Sequence, residues 1–403
     1  MSAAFSILFP DLWRSPMSNK PLDGIRVLDL SRLLPGPVAS QVLADMGAAV
    51  DKLEDIQGGD YLRFMPPHCD GVNAPFMALN RGKRSLALDL KKPSGKATFL
   101  KLISRYDVLI ESFRPGVMEK LGLGYETLKQ VSPKLVYCAI TGYGQTGPLA
   151  HRAGHDINYL ARAGILGLTG PDAGPPQVFG VQLADVAGAM SGVQQILAAL
   201  LARVSTGQGR FLDVSMCEAA IPYGVFGLMS AAVGDEVAQG GSALAGSIAP
   251  FGTYKTKDGR AMALGALEPK FWAAFCTMVG FDPDMSALMA GPHQVALKAQ
   301  LATLFASRDF AEWKAIAEES DCCLEPVLTP EEVLEDAEHR ARGSVREVNG
   351  VTLVAVSPGL SEADFEKPAP TQGQQGRAVL TEAGFTAEEV EALLREGVMR
   401  IDG

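Results

Sequence analysis

The 403-residue sequence contains few of the residues that build metal or disulfide sites. It has only five histidines, and its six cysteines are scattered without a CxxC pair. The adjacent Cys322 and Cys323 are poorly placed to form a disulfide with each other, and they give weak support for a metal. Unpaired cysteines of this kind are typical of a reducing compartment, so we expect a cytoplasmic protein without a metal site.

Positive charge is in the minority. The chain has 36 lysines and arginines against 46 aspartates and glutamates, a formal net charge of −10. Because a nucleic-acid-binding protein needs a basic face, this balance argues against general nucleic-acid binding. It leaves room for a local basic pocket that binds an anionic cofactor.

The sequence also lacks a long uninterrupted apolar run. The best such run, residues 219–234, contains Pro222 and several glycines and is short for a bilayer. Residues 1–16 lack the basic start and the clean apolar stretch of a signal peptide. We interpret residues 1–20 as an N-terminal extension, with Met17 as an alternative start, and we expect no membrane association.

The Walker loop is missing, and the one GxGxxG spacing, GYGQTG at 142–147, is followed directly by Pro148 rather than by a helix-like segment, so NAD- and ATP-binding folds of those classes are not supported. What the chain does contain is an alternation of strand-like and helix-like segments. This alternation is typical of a parallel α/β sheet, whose chemistry sits at the carboxyl ends of the strands. The predicted strands are residues 25–30, 49–53, 85–90, 108–112 and 135–140.

The length of the chain predicts two domains. A stretch rich in glycine, serine and alanine suggests a linker, and an Asp258-Gly259 turn predicts a hairpin that opens the second domain. The predicted division is a large domain (21–217), a linker (218–249), a smaller α+β domain (250–335), and a linker with a C-terminal segment that returns to the large domain (336–403).

Three polar residues in apolar surroundings are the candidates for catalysis. His155 lies in the segment GHDINY at 154–159, and a histidine, with an ordinary pKa of about 6.5, can take a proton and return it. Asp185 and Glu268 are lone carboxylates in apolar runs. Plainer interpretations are a histidine near a helix start, a helix N-cap and a surface residue before a proline. If the fold gathers the three, they form a two-sided proton-transfer site.

A second group of residues is suited to binding an anion. The segment NRGKRS at 80–85 places three cations around a glycine that permits close approach of a ligand, which suits a phosphate or diphosphate. Further candidates follow later strands, and an ordinary exposed turn is the alternative for each. The candidate ligand-binding residues are Asn80, Arg81, Lys83, Arg84, Arg114, Tyr143 and Gly144.

Taken in order, these motifs resemble the class III CoA-transferase superfamily of the CaiB/BaiF type, and within it the α-methylacyl-CoA racemase branch. The resemblance runs from about residue 21 to the last helix. The segments that carry it are LDGIRVLD (22–29), LADMGA (43–48), GGD (58–60), NRGKRS (80–85), ESFRPG (111–116), GYGQTGP (142–148) and GHDINY (154–159).

The resemblance implies a large Rossmann-like CoA-binding domain, a smaller α+β domain and an interlocked homodimer. Each site would form between the large domain of one subunit and the small domain of the other. An acyl-CoA would be the substrate, with CoA as part of it and no separate cofactor. Phe226, Met229 and Met262 are candidate acyl-chain contacts, with core packing as the plainer interpretation.

The resemblance also implies catalytic roles. His155, oriented by Glu268, would be one acid/base and Asp185 the other, and Asp156 would direct its backbone N–H at the thioester oxygen. The implied reaction interconverts 2R and 2S 2-methylacyl-CoA thioesters through an enolate. One alternative is a CoA-transferase, in which the acid at Asp185 is a nucleophile, and another is a non-catalytic acyl-CoA-binding protein. The transferases of this superfamily are expected to have Gly-Tyr-Asp where this chain has Gly-His-Asp at 154–156.

Overall fold

The fold is taken from a computed structural model. It describes residues 20–69, 71–171, 174–348, 350–357 and 367–401. The predicted N-terminal extension therefore lies, but for its last residue, outside the described residues.

Strands occur throughout the described chain and give the fold its framework. They are β1 (Arg26–Asp29), β2 (Ala49–Glu54), β3 (His68–Cys69), β4 (Val72–Asn73), β5 (Arg84–Leu88), β6 (Val108–Glu111), β7 (Val136–Thr141), β8 (Arg210–Ser215), β9 (Phe251–Lys255), β10 (Ala261–Gly265), β11 (Leu324–Pro326), β12 (Val345–Val348), β13 (Val351–Val354) and β14 (Met399–Arg400).

Helices alternate with the strands in the first half and dominate the second. They are α1 (Pro35–Asp45), α2 (Ala74–Asn80), α3 (Pro93–Ile103), α4 (Val117–Lys120), α5 (Tyr125–Val131), α6 (Asp156–Arg162), α7 (Leu183–Thr206), α8 (Met216–Ala220), α9 (Val225–Ala232), α10 (Pro269–Val279), α11 (His293–Phe305), α12 (Phe310–Glu319), α13 (Pro330–Glu335), α14 (Ala337–Ala341), α15 (Gly376–Glu382) and α16 (Ala387–Arg395).

A seven-stranded sheet with the order β14-β5-β2-β1-β6-β7-β8 is the largest sheet. The neighbours from β5 through β2, β1 and β6 to β7 pair in parallel, while β14 is antiparallel to β5. The inner strands are rich in valine, leucine and isoleucine, and β6 and β7 are buried along their whole length, as expected for a sheet covered on both faces. The predicted α/β fold with a mostly parallel sheet is confirmed.

The chain packs as two compact units. Unit 1 contains the described parts of Met1–Ile140, Ala189–Asp213 and Val348–Gly403, and unit 2 contains those of Thr141–Gly188 and Val214–Glu347. This grouping differs from the division predicted from the sequence, which placed the boundary between the two domains at the linker-like stretch 218–249. The packing groups residues 141–188 with 214–347, so the segment that carries His155 and Asp185 belongs to the same unit as Glu268.

The C-terminal segment belongs to the core of unit 1. Val379 and Leu380 of α15, and Val390 and Leu393 of α16, pack in the same apolar cluster as Phe99 of α3. Strand β14 then adds to the edge of the large sheet next to β5. Strand β14 therefore covers the edge of the sheet that β5 would otherwise expose.

Unit 2 contains a three-stranded sheet with the order β11-β10-β9. Strands β9 and β10 form an antiparallel hairpin whose turn contains Gly259 at φ 82°, a conformation that favours glycine. This is the predicted Asp258-Gly259 hairpin. An apolar cluster that includes Trp272, Phe305 and Trp313 packs with this sheet.

Helix α7 is the longest helix described and is strongly apolar. By length and composition it meets the criterion for a membrane span, but half of its most apolar stretch is buried inside the protein. Its first turn contains Asp185. A core helix of a folded domain has these same properties.

Candidate active site

His155 lies at the N-cap of α6, directly before the first helical residue. Its backbone N–H donates to Oδ1 of Asn158, 3.0 Å away, which fixes the start of the helix. The histidine itself is exposed. The plainer interpretation, a histidine near a helix start, therefore describes its backbone, while the imidazole remains accessible to a ligand.

Asp156 joins the starts of α6 and α7. Its Oδ1 accepts hydrogen bonds from the backbone N–H groups of Ala184 (2.7 Å) and Asp185 (3.1 Å). The first N–H groups of a helix have no partner within the helix, so this carboxylate caps α7 from a neighbouring element. The cap fixes the position of the α7 start next to His155.

Asp185 lies in the first turn of α7 and is partly buried. Burial raises the pKa of its carboxyl group, the charge of Asp156 raises it further, and His155 lowers it, with a net value of about 6. The structure therefore brings His155, Asp156 and Asp185 into one cluster. A carboxyl group with this pKa can both hold and release a proton close to neutral pH.

Two glycines let an aromatic ring pack against the segment before His155. A Cβ atom at Gly142 would lie 2.5 Å from the Tyr159 ring, and one at Gly154 would lie 2.8 Å from it. The Tyr159 hydroxyl donates to the carbonyl oxygen of Gly154, 2.5 Å away. The ring of Tyr143 lies edge-on to that of Tyr159, with centroids 5.1 Å apart. This buried tyrosine therefore holds the backbone immediately before the histidine.

Glu268 lies at the N-cap of α10, followed by Pro269 in the first turn, and is exposed. Across the described chain no hydrogen bond joins it to His155. It acts instead on Cys323, whose pKa is raised by burial first and then by the charge of Glu268. Its role in orienting the histidine stays a prediction.

Lys83 and Asn80 of the basic segment are buried and face inward. Lys83 Nζ donates to Ser40 Oγ (2.8 Å) and Asn80 Oδ1 (2.9 Å), and it lies 3.4 Å from Asp29 Oδ2. Burial lowers the pKa of Lys83 to about 8, although Asp29 opposes it. In this arrangement its ammonium group is enclosed by protein oxygens.

The two arginines of this segment are also paired within unit 1. Arg81 forms an ion pair with Asp45, at 2.6 Å, and both side chains are buried. Arg84 binds both carboxylate oxygens of Asp51, at 2.6 and 2.9 Å. The structure thus gives the segment an internal role, and direct phosphate contacts from it stay a prediction.

The other predicted ligand-binding residues lie in loops after strands. Arg114 is exposed in the loop after β6. Tyr143 and Gly144 follow β7, where Gly144 adopts φ 85°, a left-handed conformation that favours glycine.

Of the candidate acyl contacts, Phe226 is 73% exposed on α9, whereas Met262 is fully buried. Met262 is therefore a core residue, and the acyl-contact interpretation for it is wrong.

An open cleft that was not among the predicted binding sites lies at the carboxyl ends of the unit 1 strands. We call it the sheet-edge cleft. It has a volume of about 600 Å³, and the Arg32 guanidinium lies over the Phe113 ring, 5.6 Å from its centroid. Its lining includes Leu30, Arg32, Tyr61, Lys91, Phe113 and Leu121. Arg32, Lys91 and Phe113 each follow a strand closely, so the rule on strand ends could have found them.

No group of three or more histidine, cysteine, aspartate or glutamate residues suited to holding a metal ion occurs in the described ranges.

Comparisons with known proteins agree with this architecture. A family model described as CoA-transferase family III matches residues 22–376. The chain is 37% identical to mouse alpha-methylacyl-CoA racemase over 401 residues, which cover 94% of this chain and 98% of the relative. It is 33% identical to mouse succinyl-CoA:glutarate CoA-transferase over 397 residues, which cover 95% and 91%.

A solved structure of a CAIB/BAIF family protein from Brucella suis is also similar. It superimposes with a TM-score of 0.79 at 31% identity, covering 91% of this chain and 100% of that chain. The relatives include both racemases and CoA-transferases at comparable identity. With a family model matched over most of its length, the chain belongs to the CoA-transferase family III.

Proposed function

We propose that the protein is an α-methylacyl-CoA racemase, which interconverts the 2R and 2S forms of 2-methylacyl-CoA thioesters. The observation that carries this proposal is the cluster of His155 and Asp185 at the starts of two helices joined by Asp156. A racemase needs two groups that each exchange a proton near neutral pH. An imidazole and a carboxyl group with a pKa of about 6 meet that need.

The reaction is a proton transfer at the carbon next to the thioester. One group removes the α-proton, and the electron pair of the broken C–H bond moves to the thioester oxygen to form an enolate. The second group then donates a proton to the opposite face, and the carbonyl re-forms. His155 and Asp185 take these two roles, in one order for each stereoisomer.

Stabilisation of the enolate is the most demanding part of the reaction. The resemblance assigns it to the backbone N–H of Asp156, at the first helical position of α6. A backbone donor aimed at a developing oxyanion is worth about 3–4 kcal/mol in comparable enzymes. The carboxylate of Asp156 is used to cap α7, so the residue has separate tasks for its backbone and its side chain.

We place the nucleotide part of the CoA thioester in the sheet-edge cleft. Phe113 and Tyr61 offer aromatic surface for the adenine, and Arg32, Lys91 and the nearby loop residue Arg114 offer positive charge for phosphates. Asn80, Arg81, Lys83 and Arg84 stay candidates, as do Tyr143 and Gly144. CoA is part of the substrate in this proposal, and no further cofactor takes part.

The direct test is α-proton exchange in deuterated water with pure 2R and 2S 2-methylacyl-CoA, followed by mass spectrometry. We expect exchange with both isomers. His155→Ala should lower exchange by about 10²–10⁴-fold for at least one isomer, because it removes a general acid/base. Val186→Ala, which trims an exposed side chain on the same helix turn as Asp185, is the matched control. Exchange that survives both His155→Ala and Asp185→Asn would contradict the proposal.

A CoA-transferase is the second candidate, favoured by the presence of transferases among the relatives and by the partly exposed Asp185 carboxyl. In that reaction Asp185 attacks the thioester carbonyl, CoA leaves, and an acyl anhydride forms on the carboxylate. Incubation with an acyl-CoA and hydroxylamine would convert Asp185 to a hydroxamate. That product, together with CoA transfer to a free acid and no α-exchange, would favour the transferase.

The resemblance also supports an interlocked homodimer in the cytoplasm. Although His155 and Glu268 belong to the same compact unit of one chain, each site would combine His155 of one subunit with Glu268 of the other. On this proposal Glu268 approaches the histidine of the other subunit.

A further inference from the structure

Glu111 is a buried carboxyl group that the proposed reaction does not use. It ends β6, at the carboxyl edge of the large sheet, and it is 4% exposed. Its Oε2 accepts a hydrogen bond from the backbone N–H of Phe113, 2.7 Å away, and its Oε1 lies 3.5 Å from the Tyr137 hydroxyl. Tyr137 belongs to β7 of the large sheet, and Phe113 lies in the loop that follows β6.

We propose that Glu111 is a positioning residue of the sheet-edge cleft, where it fixes the Phe113 backbone and thereby the Phe113–Arg32 pair that contacts the nucleotide. The inference rests on the proposed placement of CoA in that cleft. Phe113 lines the cleft, and the Arg32 guanidinium lies 5.6 Å from its ring centroid. The backbone N–H of Arg32 also donates to Ser112 Oγ at 3.4 Å, so the two loops meet at this point.

The surroundings of Glu111 hold no compensating charge within the described chain. The titratable groups that interact with it are Glu119 on α4 and Tyr137 and Cys138 on β7, and none of them is a cation. On its far side Tyr137 packs against the rings of Tyr125 and Phe211, with centroids 5.9 and 5.4 Å away. The carboxyl group is therefore enclosed by rings and backbone.

These surroundings favour the uncharged acid. Burial raises the pKa of Glu111, the hydrogen bond from the Phe113 N–H lowers it, and the charge of Glu119 raises it further. The net pKa is about 8. At neutral pH the acid accepts from Phe113 through one oxygen and carries a proton on the other. Above about pH 8 an unpaired negative charge appears beneath a cleft that binds a polyanion, and this charge repels the ligand.

The test measures binding of 3′-phospho-ADP, the nucleotide half of CoA without its thiol, by calorimetry from pH 7 to 9.5. We expect the Kd of the unmodified protein to rise by about three- to tenfold across this range. Glu111→Gln keeps the acceptor for Phe113 and cannot ionise, so its Kd should match at pH 7 and stay level as the pH rises. Glu126→Gln, at an exposed site on α5, is the charge-matched control and should retain the rise.

A second readout separates positioning from general stability. Glu111→Ala removes the acceptor, so in the exchange assay it should raise KM about three- to tenfold with kcat unchanged, and Glu111→Gln should restore KM at pH 7. If Glu111→Ala fails to fold, the pH comparison with Glu111→Gln decides alone. An identical pH response in the unmodified protein and Glu111→Gln would overturn the inference and leave the proposed function intact. Absence of nucleotide binding at pH 7 would overturn the inference together with the placement of CoA in this cleft, while the exchange assay decides the proposed function separately.

Discussion

At the scale of single residues, the proposed site depends on two neighbouring aspartates in different surroundings. Asp156 accepts two backbone N–H groups, whereas Asp185 is partly buried and its pKa is raised to about 6. Below that pH Asp185 holds a proton, and above it Asp185 is a carboxylate ready to act as a base. Because the folded-state pKa lies above the ordinary value, the contribution of Asp185 to stability is present at low pH and is lost as the pH rises through about 6.

Asp156→Asn tests the coupling between these residues. The amide oxygen can still accept from the start of α7, but the negative charge that raises the pKa of Asp185 is gone. We expect the acidic limb of the pH profile of kcat/KM to move to lower pH. At pH 5, the activity expressed as a fraction of the plateau activity should be about threefold higher than in the unmodified protein. The measurement is α-proton exchange from pH 4.5 to 8.

Asp235→Asn is the matched control because Asp235 is an exposed residue of the same unit. It should leave the acidic limb in place. A profile for Asp156→Asn that coincides with that of the control would show that Asp156 does not set the protonation of Asp185.

At the scale of elements, the site is held by contacts between the start of α6, the start of α7 and the turn after β7. Gly142 in that turn packs against Tyr159 of α6, which in turn binds the carbonyl of Gly154 just before His155. The backbone N–H of Cys217, in α8, donates to the Gly142 carbonyl at 3.0 Å. A glycine with no direct role in chemistry therefore determines where the histidine segment lies.

Gly142→Ala should move that segment. Its new methyl group would lie 2.5 Å from the Tyr159 ring, so the ring must shift. We expect kcat for exchange to fall about ten- to a hundredfold, because small misplacements of a reacting group are costly. Gly180→Ala, where a Cβ atom meets nothing within 4 Å, is the control and should keep full activity. Unchanged kcat in a folded Gly142→Ala protein would disprove this coupling.

At the scale of the whole molecule, the candidate residues are divided between the two units. Unit 1 carries the sheet-edge cleft and the buried basic segment, and unit 2 carries His155, Asp156, Asp185 and Glu268. Burial opposes ionisation of Asp29, but the charges of Lys52 and Lys83 and hydrogen bonds from two serines outweigh it and lower the pKa of Asp29 to about 2. The basic segment thus helps to hold the centre of unit 1 together down to acid pH.

The proposed dimer predicts complementation between inactive subunits. His155→Ala and Glu268→Ala alone should each be weakly active, but mixed dimers with one subunit of each should recover about half of the unmodified activity. Mixed dimers then contain one site with an intact histidine from one subunit and an intact glutamate from the other. The measurement is exchange activity of mixed dimers purified through two different tags.

Co-expression of His155→Ala with Asp185→Ala is the control. Both changes fall on the same side of the proposed site, so no mixed dimer has an intact set. Equal activity of the two mixtures would count against a site shared between subunits.

Sequence alone predicted the elements whose signals are local. The parallel strands and the Asp258-Gly259 hairpin depend on periodicity and on turn residues within a few positions of one another. His155 and Asp185 could be singled out from local sequence as well, the first as one of only five histidines, next to an acid, and the second as a lone carboxylate in an apolar run.

Only the tertiary structure decided which partners these residues have. Asp156 meets the start of α7 across 29 positions, and Lys83 meets Asp29 across 54. The cations at 80–85 were interpreted as a phosphate site because the acids that pair with them lie far away in the sequence. Burial and long-range pairing set the charge of such groups, and both arise only when distant segments pack together.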